Sequence, residues 1–242
     1  GVLRCQAGRP VCSSEVVCGG VPGLVPTVDV NAIVSGGGSM AWLDSAGGLR
    51  VGPQSAGSDP GPACYGRGGV QATVTDASIV LGLLNPQYFA GGSVTLDPDL
   101  AWQVIEQTIA KPLGLSVAEA AHGIHRVVDA QMAEGMRLVS IKQGFDPRDF
   151  ALVALGGAGP VHATSLAEEP AIARVLIPAH PGVLSAEGLL SAPVEHEVAT
   201  GFPKDLNDSS ADELNAAFAA LDARCAKLMA AEEVGSQAVE VE

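Results

Sequence analysis

The clearest periodic stretch of the chain runs from residue 117 to residue 143, where apolar residues return every three or four positions. Ser116 stands before this stretch, where it can act as a helix N-cap, and Gly144 follows it. The spacing predicts one long helix with a broad apolar stripe. The stripe consists of Ala120, Ala121, Ile124, Val127, Val128, Met132, Met136 and Val139.

Three shorter helices are predicted by their starting residues and composition. Asp97-Pro98 combines a capping side chain with a proline at the first helical position, and the apolar residues up to Ile109 keep helical spacing. Thr75 is expected to cap a short helix at 76–84. An alanine-rich segment predicts another helix at 211–231.

Strands are predicted around these helices wherever apolar and polar residues alternate or β-branched residues cluster. Residues 2–18 indicate a hairpin that turns at 7–9, and a second hairpin joins 40–44 to 49–52. Because hairpins come first and strands alternate with helices later, the pattern predicts an α/β domain with a mixed sheet. Further strands are expected at 28–34, 70–76, 173–178 and 237–242.

A glycine-rich turn follows the apolar run Leu152 to Leu155 and precedes a helical pattern. Its residues are Gly156, Gly157, Ala158 and Gly159. A dinucleotide site would need a third glycine and an acidic residue after the next strand, and both are missing. A P-loop would need a lysine that is also missing. The turn could still bind a polar ligand at a helix N-terminus, or it could serve packing alone.

A second glycine cluster and two carboxylates mark the first half of the chain. Gly36, Gly37, Gly38 and Ser39 follow a predicted strand and permit close approach of a ligand or of another backbone segment. The long Gly- and Pro-rich loop at 51–69 contains Asp59, and a loop of this length is commonly functional. Asp76 follows the loop at a strand-to-helix junction, where it could face a ligand or cap the helix.

Other candidates for chemistry have simpler explanations. His122, His125 and Asp129 could resemble a metal site on the long helix, but the sequence shows no third partner for the histidines, which favours a surface or partly buried histidine pair. Glu195-His196-Glu197 is typical of a solvated face. Nothing near Cys64 would activate it as a nucleophile, and Cys5, Cys12 and Cys18 lack metal-binding spacing. The serine-hydrolase pattern G-x-S-x-G does not occur.

Charge and cysteine content restrict the class of protein. The formal net charge of −14 is opposite to that of a nucleic-acid-binding surface and disfavours contact with anionic lipid. Since the longest apolar runs are too short to cross a bilayer, no membrane span is expected. An odd number of cysteines, five, predicts free thiols in a reducing compartment, which favours a cytoplasmic protein.

Four segments in order resemble the hydantoinase A/5-oxoprolinase family: SGGGSMAWLDSAGGLRVGPQSAGSDPGPACYGRGG, TVTDASIVLG, IKQGFDPRDFALVALGGAGPVHA and IPAHPGVLSAEGLL. The resemblance covers roughly residues 1–197 and implies an actin-like, sugar-kinase-like ATPase fold with a ribonuclease H-like core. Residues 198–242 resemble the start of the family's C-terminal domain. We expect this α/β domain to be incomplete at both ends.

The resemblance also implies chemistry. Family members use ATP and a divalent metal, Mg²⁺ or Mn²⁺, to phosphorylate a carbonyl or amide oxygen, and in the cyclic-amide enzymes water then opens the ring. It implies that residues 156–159 lie against the adenosine and that residues 36–39 form the other wall of the cleft. Asp59 and Asp76 are implied as contacts to metal or substrate, with catalytic roles.

Substrate and partner remain open at this point. The resemblance implies a hydantoinase B-type subunit or fused domain as partner and an oligomeric assembly. A cyclic-amide hydrolase acting on 5-oxoproline or hydantoins, a ketone carboxylase subunit and a non-catalytic nucleotide-binding or scaffold domain are all compatible with it. The family's Asp-Gly-Gly-Thr phosphate loops are missing from this sequence. We therefore expect that the chain alone does not hydrolyse ATP.

Overall fold

The computed structural model describes residues 1–13, 16–18, 21–23, 27–33 and 35–232. Within this part of the chain the strands form two-stranded sheets, five antiparallel and one parallel. The strands are β1 (Val2–Leu3), β2 (Cys5–Gln6), β3 (Arg9–Pro10), β4 (Cys12–Ser13), β5 (Val16–Cys18), β6 (Val21–Gly23), β7 (Thr27–Val28), β8 (Val30–Asn31), β9 (Ser39–Leu43), β10 (Leu49–Ser55), β11 (Leu152–Val153) and β12 (Val175–Leu176).

The helices lie mainly in the second half of the chain. They are α1 (Val74–Val80), α2 (Pro98–Ile105), α3 (Lys111–Leu113), α4 (Val117–Val139), α5 (Gly159–Glu168), α6 (Leu184–Ser191) and α7 (Ala211–Ala231), and a π-helical segment at Glu106–Ala110 joins α2 to α3. The α/β class predicted from the sequence is confirmed. The predicted helices at 98–109, 117–143 and 211–231 are also present, although the second ends at Val139 and continues as a 3₁₀ turn to Gln143.

The N-terminal hairpin predicted over residues 2–18 is only partly correct. β2 and β3 form its tip, but β1 pairs with β8 and β4 pairs with β7. The strand predicted at 28–34 therefore corresponds in part to β7 and β8, which return alongside the first strands. Ser14, Glu15 and Val34 lie outside the described residues, as does the strand predicted at 237–242.

The strand predicted at 70–76 is wrong, because a helix begins inside it. Thr73 makes an isolated bridge to Met40, and α1 starts at the next residue. Thr73, rather than the predicted Thr75, is the N-cap. Its hydroxyl accepts from the backbone N–H of Asp76, whose carboxylate accepts from the N–H of Thr73. This capping box outweighs the β-branched composition of the segment.

The main core forms where α1, α2 and α4 pack against the β9–β10 hairpin. Fully buried side chains at this junction include Val74, Ile105, Ile109, Ile124 and Val128. The burial of Ile124 and Val128 confirms the apolar stripe predicted for the long helix. The β9–β10 hairpin, predicted from the pattern, pairs in the register Val51 to Ala41. The face of α4 that carries Ile124 and Val128 is therefore the one that packs into the core.

The two strands that flank α5 in the sequence, β11 before it and β12 after it, form the parallel pair. β11 pairs with β12 in parallel, and the N–H of Ala154 donates to the carbonyl of Leu176 over 2.9 Å.

The chain divides into two compact units, the first Gly1–Ser185 and the second beginning at Ala186. The boundary predicted between 197 and 198 stays a prediction. Among the described helices, none has both the length and the apolar character of a membrane span.

Candidate functional site

The glycine turn between β11 and α5 exposes backbone at the start of a helix. Gly156 has φ +85°, and its N–H donates to the carbonyl of Pro181 over 2.8 Å. α5 begins at Gly159, and the residue before it, Ala158, provides no side-chain cap. Pro160 has no N–H, and the N–H of Val161 donates to the carbonyl of Ala158 over 3.1 Å, so the N–H that this helix start offers to a polar ligand is that of Gly159.

Packing does not explain the remaining glycines of this turn. A Cβ placed at Gly157 or at Gly159 would meet nothing within 4 Å, and neither residue has a positive φ. Only Gly156 has a conformational reason to be glycine. The open space beside Gly157 and Gly159 is what a ligand approaching the backbone would occupy.

The glycine cluster at 36–39 is different, because its own chain fills the space around it. A Cβ at Gly37 would lie 2.6 Å from Oγ1 of Thr75, and one at Gly38 would lie 2.9 Å from Oγ of Ser55. The carbonyl of Gly37 accepts from the N–H of Thr75, and that of Gly38 accepts from the N–H of Ala56. Close approach of α1 and the 51–69 loop thus explains Gly37 and Gly38.

Ser39 and Gly36 close the loop on itself. The N–H of Gly36 donates to the buried Oγ of Ser39 over 3.0 Å, and the N–H of Ser39 donates to the carbonyl of Gly36. Of the three glycines, Gly36 alone has open space where a Cβ would be. Among these three glycines, the open space that a ligand could enter therefore lies beside Gly36.

Asp76 is fully buried and hydrogen-bonded to the loop that precedes it. Its Oδ1 accepts from the N–H of Cys64, and its Oδ2 accepts from the N–H of Ala63 and from both the N–H and the hydroxyl of Thr73. Both oxygens are therefore used inside the fold. This geometry is that of a helix-capping, loop-fastening carboxylate, the second of the two roles considered from the sequence.

The other two chemical candidates in the loop differ in their exposure to solvent. Asp59 is exposed, whereas Cys64 is fully buried. Burial and the adjacent carboxylate of Asp76 raise the pKa of the Cys64 thiol far above its usual range. The thiol is therefore protonated at neutral pH, which agrees with the interpretation that Cys64 is not a nucleophile.

The structure adds a residue that the sequence analysis did not single out as a partner, His162. Nδ1 of His162 lies 2.7 Å from Oδ1 of Asp129, and its ring stacks on His125 with centroids 4.9 Å apart. One ligand atom from each of His125, Asp129 and His162 falls within 4.8 Å of the others. His122, the neighbour considered from the sequence, is instead exposed.

His162 could have been found from helical periodicity. It is the fourth residue of α5 and stands four residues before Leu166, and both side chains are buried. A histidine on the buried face of a helix needs a polar partner in the helix it packs against. Asp129 on α4 is that partner, but which two helices pack together cannot be read from either segment alone.

His125 is neutral in this environment. Burial lowers its pKa to about 4, with a further contribution from His162. The hydroxyl of Ser78 donates to the carbonyl of Val74, and its oxygen lies 2.9 Å from Nε2 of His125. Because the serine proton is already engaged, Nε2–H of His125 is the donor in this second bond. The Nδ1 nitrogen of His125 therefore carries the lone pair.

A cleft of about 660 Å³ opens beside this cluster, between α4 and α5. His125 and Asp129 line it from α4, together with the cationic side chains of Arg126 and Arg137. Thr164 and Ser165 line it from α5. Leu81, Leu83 and Val161 add apolar surface, so the cleft has a mixed lining, and the histidine cluster lies at its wall.

Comparison with known proteins gives consistent results. The chain is 46% identical over 202 residues to the caprolactamase subunit alpha of Pseudomonas jessenii, covering 83% of this chain and 29% of that protein. It is 35% identical to 5-oxoprolinase of Saccharomyces cerevisiae, covering 81% of this chain and 16% of that enzyme. The chain thus spans less than a third of the length of either relative.

The fold is also shared with a solved structure. The nucleotide-free structure of acetone carboxylase, an ATP-dependent enzyme, superimposes with a TM-score of 0.79 at 29% identity, covering 95% of this chain and 34% of that one. A model of the hydantoinase/oxoprolinase family matches residues 2–198. The match includes both glycine clusters, the 51–69 loop and α5, and the chain therefore belongs to the hydantoinase/oxoprolinase family.

Proposed function

We propose that this chain forms the adenosine side of the nucleotide site in an ATP-dependent enzyme that opens cyclic amides. The observation that carries the proposal is the glycine turn before α5, where Gly157 and Gly159 are open and have no packing reason to be glycine. Bare backbone beside an uncapped helix N-terminus suits a nucleotide. Family membership supports the same assignment.

ATP would supply a phosphoryl group that converts a poorly reactive amide oxygen into a leaving group. The residues of this chain would contribute binding and orientation. Gly156, Gly157, Ala158 and Gly159 would lie against the adenosine, and the loop of Gly36, Gly37, Gly38 and Ser39 would form the second wall. Since Gly37 and Gly38 already pack inside the fold, that wall would be offered at Gly36.

The two carboxylates are proposed to differ in role. Asp59 is exposed in the 51–69 loop and is free to approach a divalent metal or substrate. Asp76 would act through the loop that it holds, because its oxygens already accept four hydrogen bonds. Apart from Asp59, we assign no residue of this chain to the Mg²⁺ or Mn²⁺ that accompanies the nucleotide.

Ring opening is preferred over ketone carboxylation, although the acetone carboxylase structure favours the latter as a second candidate. The preference rests on the length of the match to caprolactamase, 202 residues, and on the 5-oxoprolinase match. Since the caprolactamase relative is named as one subunit of an enzyme, we propose that a protein carrying this chain works with a hydantoinase B-type subunit or fused domain. The proposed substrate is a cyclic amide of the 5-oxoproline or hydantoin type.

A binding measurement tests whether the glycine turn before α5 contacts the nucleotide. Gly157→Val should weaken binding of a fluorescent ATP analogue at least tenfold without lowering the melting temperature, because the valine side chain would fill the ligand space alone. Gly201→Val is the matched control, since Gly201 is also open and has no positive φ. Equal binding by both variants would support a scaffold domain instead.

Substrate choice needs the protein that carries this chain together with its partner. ADP release is measured with 5-oxoproline, hydantoin and acetone plus bicarbonate. Release that depends on a cyclic amide supports the proposal. Release that depends only on the ketone with bicarbonate would assign the carboxylase reaction.

A further inference from the structure

The cluster of His125, Asp129 and His162 is not used by the proposed nucleotide site. His125 and Asp129 stand one helical turn apart on α4, and His162 faces them from α5. The side chains of His125 and His162 are 6% and 1% exposed. Two buried imidazoles and a carboxylate are thus brought together by helix packing rather than by adjacency in sequence.

The protonation pattern leaves nitrogen lone pairs in this buried cluster. His125 donates through Nε2–H to Ser78, so its Nδ1 is bare. Asp129 orients His162 through Nδ1, and Nε2 of His162 is buried without a hydrogen-bond partner. A buried polar atom without a partner costs stability unless something binds it. This unpartnered nitrogen is the second observation that indicates a ligand.

The donor set matches a transition metal. Neutral imidazole nitrogens with one carboxylate favour Zn²⁺ and its neighbours, whereas Mg²⁺ prefers oxygen ligands in octahedral geometry. One ligand atom from each residue falls within 4.8 Å of the others. Asp129 already bonds Nδ1 of His162, so an ion on Nε2 of that ring leaves Asp129 as the carboxylate that orients the imidazole. Because His125 and Asp129 line the cleft, such an ion would be reachable from solvent.

We propose that His125, Asp129 and His162 bind one divalent transition-metal ion, with the two imidazoles as nitrogen ligands and Asp129 supplying the negative charge. Zn²⁺ is the ion best suited to this set. The site is separate from the Mg²⁺ or Mn²⁺ of the nucleotide. It would clamp α5, the helix that begins at the glycine turn, to the long helix α4.

The test is a metal titration of the full 242-residue chain in which Cys5, Cys12 and Cys18 are replaced by serine, since thiols bind Zn²⁺ on their own. We expect one equivalent of bound Zn²⁺ by calorimetry and elemental analysis, unaffected by excess Mg²⁺. His125→Asn and His162→Asn should each weaken binding about tenfold or more. His122→Asn, a change of the same kind on the same helix, should leave binding unchanged.

Binding of Co²⁺ tests the site without a histidine variant, so it gives a result even where such a variant fails to fold. Co²⁺ added to the unaltered ligand set should give visible absorption bands of nitrogen-coordinated cobalt that Zn²⁺ abolishes. Zinc well below one equivalent with no such bands would overturn the proposal. So would equal affinity in folded His125→Asn, His162→Asn and His122→Asn chains.

Discussion

The backbone N–H of Cys64 donates to Oδ1 of Asp76 over 2.8 Å, and this bond joins the 51–69 loop to the start of α1. The same carboxylate accepts from Ala63 and Thr73, and no part of it is exposed. One buried side chain therefore caps a helix and fixes the end of a long loop.

Asp76→Asn should destabilise the chain by about 3 kcal/mol, because an amide offers one acceptor oxygen and turns an N–H₂ group toward N–H donors. The measurement is urea unfolding followed by circular dichroism. Asp99→Asn, an exposed acid in the first turn of α2, is the control and should cost less than about 1 kcal/mol. Equal losses in the two variants would contradict the loop-fastening role.

Gly69→Ala should also destabilise the fold, although Gly69 has no positive φ. A Cβ there would lie 2.4 Å from the carbonyl oxygen of Gly61 and 3.1 Å from the N of Ala63, and both are backbone atoms that cannot rotate away. We expect a loss of about 1–3 kcal/mol by thermal or urea unfolding. Gly157→Ala, which meets open space, should be neutral in the same assay.

Cys64 should resist alkylation in the folded chain. Its raised pKa keeps the thiol protonated, so a rise from pH 7 to pH 9 should not speed labelling of Cys64, and the exposed Cys5 and Cys12 are the accessible reference thiols. Iodoacetamide labelling with peptide mass spectrometry follows each site. Rapid labelling of Cys64 at pH 9 under native conditions would show that the thiol is accessible and ionised, contrary to this account.

Ile124→Ala should cost about 2–5 kcal/mol, because Ile124 is fully buried where α4 meets the core. Ile141→Ala is a matched change at a side chain that is 54% exposed, and it should cost far less. Unfolding free energies from denaturant titration compare the two. A small loss at Ile124 would mean that α4 does not pack with the face described.

Local signals made most helices predictable. Ser116, Asp97-Pro98 and Ser210 each provide a cap at the residue where a helix begins, and the apolar stripe of α4 gives its buried face. The error at residues 70–76 arose where two local signals competed. Thr73 and Asp76 form a capping box, which decided the conformation over β-branched composition.

Features that depend on contacts between distant parts of the sequence were not predicted. The partners of β1 and β4 lie more than ten residues away, and short strands carry too little pattern to identify them. The cluster of His125, Asp129 and His162 was not predicted from the sequence for the same reason. The sequence showed His125 and Asp129 on one helix, but the third member, His162, is supplied by packing of α5 on α4.

The open glycine turn has a consequence for how related sequences should vary. Substitution at Gly157 or Gly159 costs the fold little, so folding alone would not keep these positions free of side chains during evolution. Gly156, with its positive φ, would persist in either case. A lineage that had lost the nucleotide should therefore accumulate alanine or serine at Gly157 and Gly159 while retaining Gly156, and such a pattern would reveal the loss of nucleotide binding from sequence alone.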